Sequence, residues 1–102
     1  MDPPAARLAQ RLGLTDEELC RILDVDPIAL IGGELRHRPE LGILLALTDE
    51  PEGALGPGVL RRWVRTTGPA GRPLDHLMAR DFAGFERAVE ALVERGFVIG
   101  GR

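Results

Sequence analysis

Apolar residues in the first half of the chain recur at the spacing of short amphipathic helices. Gly13 follows one such run as a helix-ending residue, and Thr15 with Glu18 forms a capping-box pattern at the start of the next. Asp26 and Pro27 are typical of the N-cap and first helical position of a third helix, and a nearly continuous apolar run follows. The pattern predicts helices over residues 4–12, 15–23, 26–31 and 40–48.

The fourth predicted helix is apolar around nearly its whole circumference. Between Leu41 and Leu47 only Leu, Ile, Gly and Ala occur. A helix of this composition is buried on several sides. We expect it to be either the central helix of the fold or part of an oligomer interface.

The second half of the chain opens with a segment rich in proline and glycine. This composition predicts a linker over residues 49–58, with room for one helical turn near Leu55. Three further helices are predicted: one over 59–66, one that begins at Pro73, and one that is capped by Asp81 and has Val93 on its inner face. Because no segment alternates cleanly between apolar and polar residues, we predict an all-α fold. Its two halves are a helix-turn-helix-like half over 1–50 and a second helical half over 51–102.

The composition excludes several kinds of chemistry. All 13 basic residues are arginine, and the chain has no Lys or Ser, which excludes a Schiff-base lysine and a serine nucleophile. Cys20 is the only cysteine, which excludes an internal disulfide and a cysteine-based zinc site. His37 and His76 have no evident local partners for a metal ion. We therefore expect a protein that is not an enzyme and needs no cofactor or metal.

The beginning of the chain has no basic and apolar leader, and no apolar run approaches the roughly 20 residues of a membrane span. These features predict a cytoplasmic protein without membrane contact.

The charge is distributed unevenly. Residues 1–50 carry 10 acidic residues and 5 arginines, a net of −5, whereas residues 51–102 carry 6 acidic residues and 8 arginines, a net of +2; together they give −3. Since affinity for nucleic acid depends largely on cations that meet phosphates, the first half is poorly charged for that purpose.

The second and third predicted helices have the length and spacing of a helix-turn-helix. Such proteins read DNA with polar and basic side chains on the second helix of the pair, but here that helix carries Ile28 and Ile31. The candidate phosphate contacts come later, at Arg36, His37 and Arg38. A DNA-binding regulator is therefore the second hypothesis for this chain.

Arginines cluster on one face of the helix predicted over 59–66. Arg65 lies three residues after Arg62 and four after Arg61, and Arg72 follows after a short loop. Two interpretations remain open. Either the arginines form a solvated face paired with local acids such as Glu52, or they form a docking surface for an acidic protein or for phosphate.

The second half resembles the toxin-binding domain of Xre/MbcA/ParS antitoxins. The resemblance rests on the segment Leu-Arg-Arg-Trp-Val-Arg-Thr over 60–66, a Gly/Pro loop, Gly-Arg-Pro-Leu-Asp-His-Leu over 71–77, and Asp81 before an amphipathic helix. The order and spacing of these motifs match over residues 59–99. The helix-turn-helix-like first half is also what the family implies, so the resemblance covers most of the chain.

The resemblance implies a type II antitoxin, often dimeric, that binds and blocks a RES-domain toxin that degrades NAD. It implies that the closing helix and the tail lie against the toxin and hinder access to its active site. Trp63 is expected to be a core anchor and not a toxin contact, because it lies on the inward face of its helix. A homodimer is expected. The family also implies autoregulation through DNA, but the apolar third helix supports this less than it supports toxin binding. The residues expected at the toxin are Arg61, Arg62, Arg65, Arg72, Phe97, Val98, Ile99 and Arg102.

Overall fold

The computed structural model describes residues 3–32 and 38–95, which form seven helices and no strand. The helices are α1 (Pro3–Leu12), α2 (Asp16–Leu23), α3 (Pro27–Gly32), α4 (Pro39–Leu55), α5 (Val59–Trp63), α6 (Pro73–Met78) and α7 (Phe82–Arg95). The predicted all-α fold class is confirmed. Within the described ranges, no helix is both long and apolar enough to cross a membrane.

The turn between α1 and α2 forms as its sequence signals predict. Gly13 adopts a left-handed conformation with φ of 65°, and the Leu14 amide donates to the Ala9 carbonyl at 2.9 Å. This is the hydrogen bond of a Schellman-type helix end. The capping box at α2 is complete, because the Thr15 hydroxyl accepts from the Glu18 amide at 3.1 Å and the Glu18 carboxylate accepts from the Thr15 amide at 2.9 Å. These contacts fix the direction in which α2 leaves α1.

Helices α2 and α3 form the predicted helix-turn-helix-like corner. Asp24 has φ of 56°, and the Val25 amide donates to the Cys20 carbonyl at 2.9 Å, which closes the end of α2. The Asp26 carboxylate then accepts from the Ala29 amide at 2.8 Å and caps α3. Among the side chains of α3, only that of Leu30 is buried.

The linker predicted over 49–58 is wrong for most of its length, because α4 continues to Leu55. Pro51 lies inside this helix and is buried, so packing against the core outweighs the loss of its amide donor. The boundary expected at residue 50/51 therefore falls inside a continuous helix. Helix α4 packs against α1, α5 and α7 and has the central place expected of it, although Ile43 is 52% exposed.

Both halves of the chain contribute to a single hydrophobic core. Leu8, Leu19 and Leu44 from the first half are fully buried in the same cluster as Leu60 and Phe85 from the second. The Cα radius of gyration is 13.2 Å, close to the value of about 13 Å expected for one compact domain of this length. The two halves therefore share one core.

Helices α5, α6 and α7 form a carboxyl-terminal module, defined here as residues 59–95. Helix α5 is shorter than predicted, and its chain continues as a turn through Thr66. The loop that follows is pinned where the Leu74 amide donates to the Val64 carbonyl at 2.8 Å. At the start of α7, the Asp81 carboxylate accepts from the Gly84 amide at 3.0 Å, as the predicted N-cap requires. Val93 was expected to face inward, but it is 48% exposed.

Candidate functional site

One aromatic pair links the first and last helices of the carboxyl-terminal module. The rings of Trp63 and Phe85 lie 5.7 Å apart between centroids and are tilted by 57°. Trp63 is 7% exposed and Phe85 is fully buried, so the tryptophan has the position expected of a core anchor. This contact joins α5 directly to α7.

Arg65, expected at the toxin, forms an ion pair with the first half of the chain. Its guanidinium makes two hydrogen bonds to the Glu18 carboxylate, at 2.7 and 3.1 Å, and a third to the Gly13 carbonyl at 2.8 Å. Arg65 is therefore paired with an acidic residue, as one of the two open interpretations expected, but the residue is Glu18 and not Glu52. The hydrogen bond from Arg65 is the main reason that the pKa of Glu18 lies below its ordinary value. The ion pair uses the same carboxylate that caps α2, so it ties the carboxyl-terminal module to the α1–α2 turn.

Arg61 lies over the same turn. Its side-chain carbons would be 3.0 to 3.3 Å from a Cβ placed on Gly13, and its guanidinium donates to the Gln10 carbonyl at 3.1 Å. Gly13 is thus required both for its left-handed backbone and for this close approach. Arg62, between these two, is exposed, and its guanidinium makes no hydrogen bond within the described part of the chain. Of the three clustered arginines, Arg62 is the one available to a partner.

Arg72 is placed at the start of α6, as its N-cap residue. Its guanidinium donates twice to the Asp75 carboxylate, at 2.6 and 3.1 Å, and this hydrogen bonding lowers the pKa of Asp75. Both side chains are well exposed to solvent. The pair therefore adds little to stability but holds the first turn of α6 in place.

His76 has partners that its local sequence did not reveal. Its Nε2 lies 2.6 Å from the Ala70 carbonyl, and its Nδ1 lies 3.2 Å from the Asp81 carboxylate. Both ring nitrogens thus face acceptors, and the ring bridges the loop before α6 to the start of α7. Gly84 makes room for this bridge, since a Cβ there would collide with His76 and Asp81. The sequence signal that could have found it was the N-cap at Asp81, which fixes where that carboxylate lies.

Arg80 is a second residue that the sequence analysis missed. It occupies a left-handed position with φ of 56° at the end of α6, where glycine is the usual residue. Its guanidinium donates to the Ile22 carbonyl at 2.7 Å and to the Glu40 carboxylate at 2.8 Å, and it lies 5.5 Å from the centre of the Phe82 ring. These contacts join α2, α4 and α7 at one point and offset the cost of the left-handed backbone.

Several predicted site residues lie outside the described ranges. These are Arg36 and His37 of the proposed DNA contacts, together with Phe97, Val98, Ile99 and Arg102 of the proposed toxin contacts. Arg38, the third proposed DNA contact, is the N-cap residue of α4 and is partly buried. The structure therefore shows where the carboxyl-terminal tail is attached, at Arg95 of α7.

The described residues contain no cluster of three or more His, Cys, Asp or Glu side chains that could hold a metal ion. The geometry instead presents one folded module, fixed to the first half by arginines, whose last helix leads to an apolar segment. The chain matches no family model, no curated protein and no solved structure.

Proposed function

We propose that this protein is an antitoxin-like binding protein that neutralises a RES-type, NAD-degrading toxin with its carboxyl-terminal module. The observation that carries the proposal is the contact between Trp63 and Phe85, which joins α5 to α7, together with the packing of α6 against α7. The motifs that resemble the toxin-binding domain of Xre/MbcA/ParS antitoxins all fall within this packed unit. The motif residues thus have a shared structural purpose, which is to fix α7 and the point at which the tail begins.

The proposed mechanism is occlusion of the toxin's active site. Helix α7 is held by its buried face, which includes Phe85, Val89 and Leu92. The last seven residues of the sequence, 96–102, follow this helix and include Phe97, Val98 and Ile99. In the proposed mechanism this tail covers the opening through which the toxin takes up NAD.

The arginines divide into two roles under this proposal. Arg61 and Arg65 are positioning residues, because their guanidinium groups are already bonded to the α1–α2 turn. Arg62 is exposed beside them and is the arginine that we expect to contact an acidic group of the toxin. A homodimer, as the family resemblance implies, would present two such modules.

The test is protection against a RES-domain toxin encoded beside this chain. The toxin is co-expressed with full-length protein, and complex formation and NAD hydrolysis are measured. We expect a stable complex and suppressed hydrolysis. Deletion of residues 97–102 should abolish protection while the unfolding midpoint of the free protein stays unchanged, and Arg62→Ala should weaken the complex about three- to tenfold.

Arg7→Ala is the matched control, because Arg7 is also an exposed arginine but lies on α1. It should leave both the affinity and the protection unchanged. Full-length protein that neither binds nor protects against the toxin would contradict the proposal. Protection by the protein without residues 97–102 would contradict the occlusion mechanism.

DNA binding remains the alternative and is supported by one feature, the helix-turn-helix-like corner of α2 and α3. The exposed residues of α3 include Ile28 and Ile31, which offer no hydrogen bonds to base edges. A mobility shift with promoter DNA of its own operon, repeated at rising salt, tests it. We expect no specific shift, and a salt-sensitive shift that is lost in Arg38→Ala would favour the regulator instead.

A further inference from the structure

Helix α3 exposes the two most solvent-accessible large apolar side chains of the described residues. Ile28 is 81% exposed and Ile31 is 76% exposed, compared with 52% for Ile43 and 48% for Val93. The two isoleucines are three residues apart and therefore lie on one face of the helix. Two large apolar side chains thus share one exposed face of a six-residue helix, and a partner that covered them would remove this apolar area from water.

A groove of about 720 Å³ lies beside this face, between α2 and the end of α6. Cys20, Val25 and Met78 contribute apolar surface to it, and each of the three is only partly buried. Pro27, on α3, also lines the groove, and it lies one helical turn from Ile31. Pro27 thus places one wall of the groove next to the exposed face of α3, and we call the groove together with Ile28 and Ile31 the α2–α3 surface.

The rim of this surface is acidic. Asp16, Glu17 and Asp24 line the groove and are all exposed. Of the two arginines that line it, Arg80 is already paired with Glu40, which leaves Arg21 to balance three carboxylates.

The Cys20 thiol, which lines the groove, lies close to this negative charge. Burial is the main cause of the raised pKa of Cys20, and the charges of Asp16 and Asp26 raise it further. The acidic character therefore reaches from the rim into the groove.

We propose that the α2–α3 surface is a docking site for a partner protein segment that carries apolar side chains between arginines or lysines. The apolar residues of such a segment would cover Ile28, Ile31 and the groove, and its cations would meet the acidic rim. The proposal does not depend on the proposed neutralisation of a toxin.

The charge of this region disfavours two other occupants. Residues 14–32 carry five acidic residues and one arginine. In a symmetric dimer through α3, the same acidic rim would face its own copy, and like charges would repel. Duplex DNA would meet the same repulsion from its phosphates. A basic, apolar segment is the occupant whose charge is complementary.

The experiment uses full-length protein and two labelled helical peptides of about 18 residues with the same leucine face. One peptide carries Arg and Lys on its polar face, and the other carries Glu. Binding is followed by fluorescence anisotropy. We expect the basic peptide to bind at least about tenfold more tightly than the acidic one, with an affinity that falls between about 50 mM and 500 mM salt.

Variants then locate the binding site. Ile31→Asp should weaken binding of the basic peptide at least about tenfold, and Glu17→Arg should weaken it about threefold or more. Ile43→Asp is the matched control, because it places the same charge at another exposed isoleucine, on α4. Its affinity for the peptide should equal that of the unchanged protein. Unfolding curves check that each variant is folded, and deletion of residues 97–102 should leave peptide binding intact.

Three results would overturn the proposal. The first is equal affinity for the basic and acidic peptides. The second is an equal effect of Ile31→Asp and Ile43→Asp on binding. The third is a dimer in sedimentation experiments that Ile31→Asp dissociates, because a second copy of the chain would then cover the surface.

Discussion

The turn between α2 and α3 and the turn between α6 and α7 have the same local geometry, but the helix that follows is mostly exposed in the first and buried along one face in the second. In each, the first helix ends at a non-glycine residue with φ of 56°, Asp24 in one and Arg80 in the other. Arg80 makes contacts to α2, α4 and Phe82, and the helix that follows it is buried along one face. Asp24 is exposed, and the helix that follows it has one buried side chain. A turn determines how two helices are joined, but the surrounding core determines whether the second helix is covered.

The two halves of the chain also differ in which side chains make contacts within the fold. Three arginines of the second half, Arg61, Arg65 and Arg80, are bonded to groups of the first half. In the first half, two isoleucines of α3 face solvent. The clustered arginines therefore partly serve contacts within the chain, whereas the apolar residues of α3 lie on the surface.

The largest expected difference between the two regions concerns core packing. Phe85→Ala removes a fully buried ring from its contact with Trp63, and we expect a loss of about 3–5 kcal/mol in the free energy of unfolding. Ile31→Ala, in contrast, should change it by less than about 0.5 kcal/mol. Denaturant unfolding of both variants checks this. A loss above about 2 kcal/mol for Ile31→Ala would show that α3 is covered in the free protein.

Glycine substitutions in the two regions should have opposite signs. Gly84→Ala places a methyl group against His76 and Asp81, and its overpacking cost of about 1–3 kcal/mol exceeds the helix-propensity gain of up to about 1 kcal/mol. In Gly32→Ala, nothing lies within 4 Å of the new Cβ, so only the propensity gain remains. The unfolding midpoint should fall in the first variant and rise slightly in the second. A higher unfolding midpoint for Gly84→Ala would contradict this, because it would show that His76 and Asp81 can move away from the new methyl group without loss of stability.

The smallest effect concerns the ion pair that joins the regions. Because the pKa of Glu18 is lowered in the folded state, its charge contributes stability above the unfolded pKa, near 4.5, and this contribution is lost as pH falls through the folded pKa. Glu18→Gln keeps the capping-box geometry but removes the charge. It should cost about 0.2–1 kcal/mol at pH 7, since Arg65 is well exposed, and less at low pH.

Glu17→Gln is the control for this measurement, because Glu17 is the exposed neighbour of Glu18 on the same helix. Its cost should be smaller at pH 7 and should change less with pH. A difference between Glu18→Gln and the unchanged protein that persists at low pH would show that the carboxylate acts only as a cap.

Helix starts and stops were the most predictable features of this fold. The capping box at Thr15, the left-handed Gly13 and the N-cap at Asp81 all formed where the sequence placed them, because each depends on hydrogen bonds within a few residues. The length of α4 was not predictable in this way. Pro51 favours a helix end locally, and only contact with the core keeps the helix intact to Leu55.

The helical class, the positions of most helix ends and the inward face of Trp63 could be predicted along the chain, since they follow from local hydrogen bonding and from hydrophobic spacing. The contact between Arg65 and Glu18, the position of Arg80 among three helices and the exposure of Ile28 and Ile31 come from packing between distant segments. Those outcomes depend on residues about 40 to 60 positions apart, or on the area of core available to α3, and periodicity along a single helix records neither.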